Sequence, residues 1–145
     1  MANLKRYVLG FLFSSNKEFV FLIKKNRPDW QSGKLNGIGG HIELGELIDE
    51  AMTREFQEET GVLIKAWEYF GMMGSANKEG IWQVYLFTSV LPLNHNIPQT
   101  VTDEEVIAVR VTDLLLKGNM NIIPNLRWLI PMALTMDFKT CNIIY

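Results

Sequence analysis

Gly37, Gly39 and Gly40 place three glycines in four positions, directly ahead of a segment dense in glutamate that runs from Glu46 to Glu59. The glycines argue against a long regular strand. They imply a backbone that approaches something closely or adopts positive φ. From Glu46 to Thr60 the pattern is helical, and Gly61 stands where a C′ residue ends a helix. An α-helix turns about 100° per residue, so with Ile48 as the zero direction Ala51, Met52 and Phe56 form an apolar arc that should face a core. Glu55 and Glu59 fall within about 20° of Ile48, and Glu58 lies at the edge of the arc. Glu50, Thr53, Arg54 and Gln57 fall on the opposite, solvent-facing side.

Carboxylates therefore point with the core residues. An unpaired buried carboxylate costs several kcal/mol or changes its protonation state. Glu58 and Glu59 also occupy the last turn, where the helix dipole disfavours negative charge. A solvated acidic face with ordinary Glu–Arg pairs is the competing reading, but these charges sit on the wrong face and at the wrong end for it. A bound divalent cation accounts for them. Hard oxygen ligands without a Cys/His cluster favour Mg²⁺ or Mn²⁺ over structural zinc. His41 and His95 have no partner at zinc-ligand spacing and are expected to be polar surface or loop residues.

Around this helix, Tyr7–Phe13 and Phe19–Lys24 are strand-like and separated by the polar cluster Ser14–Lys17, which predicts a hairpin. An irregular loop from Asn26 to Lys34 follows. Val62–Ile64, Trp67–Met73, Ile81–Val90 and Val106–Val111 read as strands, with a turn over Ser75–Gly80. Thr112 is a candidate cap for a short helix over Asp113–Lys117. Asn125–Thr135 is a final helix in which Pro131 predicts a kink or a late start. Hairpins beside one well-marked helix predict an α+β or α/β fold, a central mixed sheet covered by helices on both faces.

The 145 residues suit one domain, 1–145, with 48% apolar and 21% charged residues. A net charge of −2 gives no basic footprint for long nucleic acid. A small anionic substrate remains open if a metal ion supplies positive charge. Lys5 and Arg6 precede an apolar run too short to span a bilayer and without a small-residue cleavage site after it. The single cysteine, Cys141, cannot form an internal disulfide and reads as a structural thiol. A cytoplasmic location is expected, without membrane contact, as a monomer or homodimer.

Gly40, Glu46 and Arg54-Glu55-Phe56-Gln57-Glu58-Glu59-Thr60-Gly61-Val62 fill every specified position of the pattern G-x5-E-x7-R-E-U-x-E-E-x-G-U, U being apolar. Seven fixed identities make a chance match at one position of order 10⁻⁸ from average residue usage. In this the sequence resembles the Nudix hydrolases of the MutT-like kind. The resemblance implies an α/β/α sandwich in which the box forms a loop–helix–loop. It implies that Glu55, Glu58 and Glu59, with the Gly39 carbonyl, ligate Mg²⁺ (or Mn²⁺), Glu55 being a ligand or the base for the attacking water. Arg54 would orient the glutamates, Glu46 would support the loop, and Gly40 would lie at the substrate. A further carboxylate from a later loop is also implied, with Glu104 or Glu105 first and Asp103 third; an exposed turn is the other reading of that run.

The implied reaction is hydrolysis of a nucleoside diphosphate linked to a group X, with water attacking phosphorus. Gly33–Gly40 resembles the corresponding segment of family members that hydrolyse oxidised purine nucleoside triphosphates. That would make Asn36 a base contact; a turn residue before Gly37 is the competing reading. Asn125 stands where those members carry an acidic base reader, and His41 where many triphosphatases carry lysine. Trp30 and Trp82 could stack on a base, though aromatic residues near strands are more often core. The substrate expected is a (d)NTP, possibly an oxidised purine, yielding a monophosphate and pyrophosphate. ADP-ribose or a dinucleoside polyphosphate is the alternative, and a nucleotide-sensing module without catalysis is a third.

Overall fold

The computed structural model describes residues 3–135 and 141–144. β1 (Leu4–Phe13) and β2 (Phe19–Lys24) form the expected antiparallel hairpin, with Leu12 opposite Phe21. Its turn is closed by Ser14 N–H on the Phe19 carbonyl and by Phe19 N–H on Ser14 Oγ. β3 (Leu35–Asn36) pairs with β2, and β4 (Ile38–His41) pairs with β1. The sheet continues through β5 (Glu68–Asn77) and β6 (Gly80–Val90), which are antiparallel to each other. β6 runs parallel to β1 along its whole length. β7 (Glu105–Arg110) pairs with β2, and β8 (Cys141–Ile144) lies parallel to β5. The order is β3-β2-β1-β6-β5-β8, so the sheet is mixed.

α1 (Ile48–Thr60) lies on one face and packs Ala51, Met52 and Phe56 against Val8, Leu12, Ile23 and Ile38. α2 (Val111–Leu116) and α3 (Leu126–Thr135) cover the other face, with Leu114, Leu126, Leu129 and Ile130 against Phe11, Phe13, Leu22 and Leu86. Alternation along each strand sends neighbouring side chains to opposite layers, which gives two cores around one sheet. This is the α/β/α sandwich that the sequence predicts.

Several local expectations are corrected. Val62–Ile64 is not a strand: Val62 and Ile64 are buried under α1, so their apolar character serves packing without a ladder. The turn expected over Ser75–Gly80 shrinks, because β5 runs on to Asn77 and β6 begins at Gly80. Thr112 does not cap α2, which starts two residues earlier than expected, at Val111, with Arg110 in the capping position and no side-chain cap bond. α1 begins at Ile48, two residues after Glu46, whose side chain is committed to the preceding loop. α3 runs through Pro131. Gly61 ends α1 at φ 75°, its N–H on the Gln57 carbonyl, as expected of a left-handed stop. The side chain of Cys141 lies outside the described residues, and no helix of the described residues is long and apolar enough to cross a membrane.

Candidate active site

β4 brings the glycines against two different neighbours. Gly39 lies opposite Leu9 of β1, and a Cβ added there would stand 1.9 Å from the Val8 carbonyl oxygen. A Cβ on Gly40 would stand 2.4 Å from Glu55 Oε2. Close approach explains this pair, since the glycines with positive φ are Gly33, Gly45, Gly61 and Gly80. β4 is thereby pressed between β1 and the side chain of Glu55.

Arg54 is the hub of the site. Its Nε and Nη2 donate to the two oxygens of Glu46 at 2.6 and 2.8 Å, a bidentate clasp. Nη1 donates to Glu55 Oε1 at 2.9 Å and Glu58 Oε2 at 3.2 Å, and Nη2 also donates to the His41 carbonyl at 3.0 Å. Glu46 in turn accepts the Glu43 N–H at 3.0 Å, which closes the loop between β4 and α1. Rotation about the helix alone predicts Arg54 on the solvent face. The structure instead folds it against that loop with 23% of its side chain exposed. The helix wheel ignores a loop packed on the helix flank, and the flank decides here.

The glutamates differ in environment. Glu55 has 12% of its side chain exposed, whereas Glu58, expected at the edge of the inward arc, is 58% exposed with Arg54 as its partner. Burial pushes the Glu55 carboxyl up, opposed by its bond to Arg54. Burial also raises Glu59, and the charge of Glu104 adds to that. Glu59 Oε2 accepts the Thr102 hydroxyl at 3.3 Å.

Glu104 does not lie in an exposed turn; it is 3% exposed. Its Oε1 is 3.1 Å from Lys25 Nζ and its Oε2 accepts the Asn26 N–H at 2.6 Å. Although burial opposes it, these bonds leave the Glu104 carboxyl below its ordinary value. Asp103 is exposed and paired with Arg27, and Glu105 is exposed at the start of β7. Of the Asp-Glu-Glu run, Glu104 is thus the one brought to Glu59. Lys25, Asn26 and Thr102 carry no motif. A partnership across some 79 positions leaves no trace in a single sequence.

Asn36 and Asn125 are not brought together. Asn36 is the cross-strand partner of Ile23, whose side chain belongs to the α1 layer. Its Nδ2 donates to Gln31 Oε1 at 3.2 Å and its Oδ1 accepts the Gly37 N–H. Asn125 sits against Met73, in the layer of α3, and its buried Oδ1 has no hydrogen-bond partner among the described residues. Trp82 packs against that same layer, and Trp30 is exposed on a short 3₁₀ turn, Asp29–Gln31. His41 is exposed with its ring 4.4 Å from that of Tyr7, and His95 is a half-buried loop residue.

Among the described residues, no three Asp, Glu, His or Cys side chains are grouped closely enough, as they stand, to hold a metal ion. The chemistry of the donor set nevertheless suits one. Glu55 and Glu59 are half-buried with raised carboxyls, Glu104 repels Glu59, and every donor is a hard oxygen. Arg54, Lys25 and the more distant, exposed Arg27 offset only part of this negative charge.

The NUDIX domain profile matches residues 3–129. A stretch of 71 residues is 37% identical to an ADP-ribose pyrophosphatase of Methanocaldococcus jannaschii, covering 48% of this chain and 40% of that one. Another of 54 residues is 35% identical to the 8-oxo-dGTP diphosphatase of Escherichia coli, covering 37% and 41%. Both curated relatives are thus matched over about two fifths of their own length. A MutT protein from Bacillus halodurans has a similar fold, with a TM-score of 0.74 at 20% identity over 97% of this chain and 90% of that one. With the profile covering most of its length and the box residues gathered around Arg54, this chain belongs to the NUDIX family.

Proposed function

We propose that this chain is a divalent-metal-dependent pyrophosphohydrolase acting on a nucleoside diphosphate linked to X, with a nucleoside triphosphate as the preferred substrate and NMP and pyrophosphate as products. The observation that carries this reading is the Arg54 hub, which binds Glu46, Glu55 and Glu58 in one network beside Gly40. The Gly39 carbonyl with Glu55, Glu58 and Glu59 would hold the cation, Mg²⁺ or Mn²⁺, and Glu104 would join them once released from Lys25. When bound, the cation supplies charge neutralisation at the phosphate oxygens and makes water more acidic.

The chain's own residues supply the rest. Arg54 fixes the carboxylate rotamers, and the missing Cβ of Gly40 leaves room for Glu55. The raised carboxyl of Glu55 suits it to accept a proton from water once ionised. The unpartnered Oδ1 of Asn125 is an acceptor suited to an N–H on a base edge, with Trp82 on the same side of the sheet. Asn36 lies on the opposite side of the sheet with its amide bonded to Gln31 and to the Gly37 N–H, so the base contact is assigned to Asn125 and not to Asn36.

The relative from Methanocaldococcus jannaschii is named for ADP-ribose, and that compound is the second reading. A sensing module is disfavoured because every box glutamate is present. A panel of canonical and oxidised (d)NTPs, ADP-ribose and dinucleoside polyphosphates, assayed with Mg²⁺ at slightly alkaline pH for phosphate or pyrophosphate release, tests the proposal. Mg²⁺-dependent turnover greatest on a triphosphate supports it. Binding without turnover across the panel would sink it in favour of the sensor. In the same assay Asn125→Ala should shift preference among bases more than it lowers turnover, and a uniform loss across bases would argue against a base contact.

A further inference from the structure

Glu104 is a carboxylate at a depth that charged side chains occupy only when paired. The pairing is supplied by Lys25, which directly follows β2 and whose Nζ lies 3.1 Å from Oε1 with 22% of the lysine side chain exposed. Thr102 extends this contact to α1: its hydroxyl accepts the Glu104 N–H at 3.1 Å and donates to Glu59 Oε2 at 3.3 Å. A continuous chain therefore runs from Glu59 through Thr102 and Glu104 to Lys25. It joins the last turn of α1 to the end of β2 and places one ammonium beside two carboxylates. The guanidinium of Arg54 is committed to Glu46, Glu55 and Glu58, and the exposed Arg27 pairs with Asp103 and stands 4.0 Å from Glu104 Oε2, so Lys25 is the nearer cation at the Glu59 end of the set.

We infer that Lys25 is a positioning residue that keeps the place of a divalent cation. Its ammonium neutralises Glu104 and the neighbouring Glu59, and cation binding must draw Glu104 away from it. The inference rests on the reading of α1 as a divalent-cation site. A positive side chain here opposes a dication twice over, by occupying a carboxylate and by direct repulsion. If Lys25 were only a strut between β2 and the loop before β7, removing it would cost stability and leave cation affinity unchanged or weaker.

The probe is Mn²⁺ alone, its free concentration followed by electron paramagnetic resonance with wild type, Lys25→Gln and Lys25→Arg. Glutamine keeps a neutral donor for Glu104 and arginine keeps the charge. Lys25→Gln is expected to bind Mn²⁺ on the order of tenfold more tightly, and Lys25→Arg within about twofold of wild type. Should Lys25→Gln not fold, reductive methylation of wild type, mapped residue by residue by mass spectrometry, decides the matter. Lys25 should be labelled faster with Mn²⁺ than without, relative to the exposed Lys17 and Lys78. Equal or weaker Mn²⁺ binding by folded Lys25→Gln, or labelling of Lys25 unmoved by Mn²⁺, would overturn the inference while leaving the cation site intact. No Mn²⁺ binding by wild type would overturn the site itself, and the inference with it.

Discussion

Two adjacent glycines in β4 are required for different reasons, and their substitutions should separate cleanly. At Gly39 the neighbour is the backbone of β1, which cannot rotate away, so Gly39→Ala should lose roughly 3 kcal/mol or fail to fold. At Gly40 the neighbour is the carboxylate of Glu55, which can swing aside. Gly40→Ala should therefore keep most of its stability in urea unfolding and lose at least tenfold in turnover, because the displaced group belongs to the site. The reverse pattern would contradict this division. From the sequence these glycines imply either a close approach or positive φ. The sequence does not show that one approach is to a strand and the other to a side chain, because both demand the same missing Cβ.

At the scale of the element, α1 and its preceding loop behave as one unit joined by Arg54. The Arg54 guanidinium holds the Glu46 carboxyl below its ordinary value of 4.5. A carboxyl lowered by folding contributes stability that is present above its unfolded pKa and lost as pH falls through the folded one. Glu46→Gln should thus cost roughly 1–3 kcal/mol near neutral pH, and its deficit should shrink as pH drops below 4.5. Denaturant melts of both proteins at several pH values check this; a deficit constant with pH would rule the ion pair out as its source. Arg54→Lys keeps the charge but cannot make the bidentate clasp, and turnover should fall at least tenfold with little loss of secondary structure. The hairpin, the existence of α1 and its stop at Gly61 are legible from periodicity and turn chemistry, while its start lies two residues later than the pattern predicts. The helix wheel alone misplaces Arg54 because it contains no loop. Val62–Ile64 looked like a strand because a buried apolar run reads the same with or without a ladder.

For the whole molecule, the sheet order assembles the site. Lys25 directly follows β2, β7 follows the loop of Thr102 and Glu104, and the pairing of the two strands puts Lys24 opposite Glu105. That register delivers Glu104 to the last turn of α1, although the partners lie far apart in the chain. The family pattern makes Glu55, Glu58 and Glu59 visible because they share one helix. The contact between Glu59, Thr102, Glu104 and Lys25 is tertiary, and composition and spacing carry no signal for it. The opposite placement of Asn36 and Asn125 is likewise tertiary: strand register sets the side of Asn36, which a single sequence constrains weakly, and the packing of α3 sets that of Asn125.

The claim on which the account rests is that the glutamates of α1 work through a divalent cation on a phosphoric anhydride. Turnover of the best triphosphate by wild type and Glu58→Gln, with Mg²⁺ and with chelator, tests it most directly. Glu58 is exposed and bonded to Arg54, so its substitution should leave the melting profile nearly unchanged. The account expects Mg²⁺-dependent turnover in wild type, abolished by chelator and at least a hundredfold lower in folded Glu58→Gln. Turnover in Glu58→Gln close to that of wild type, or turnover that persists in chelator, would contradict it.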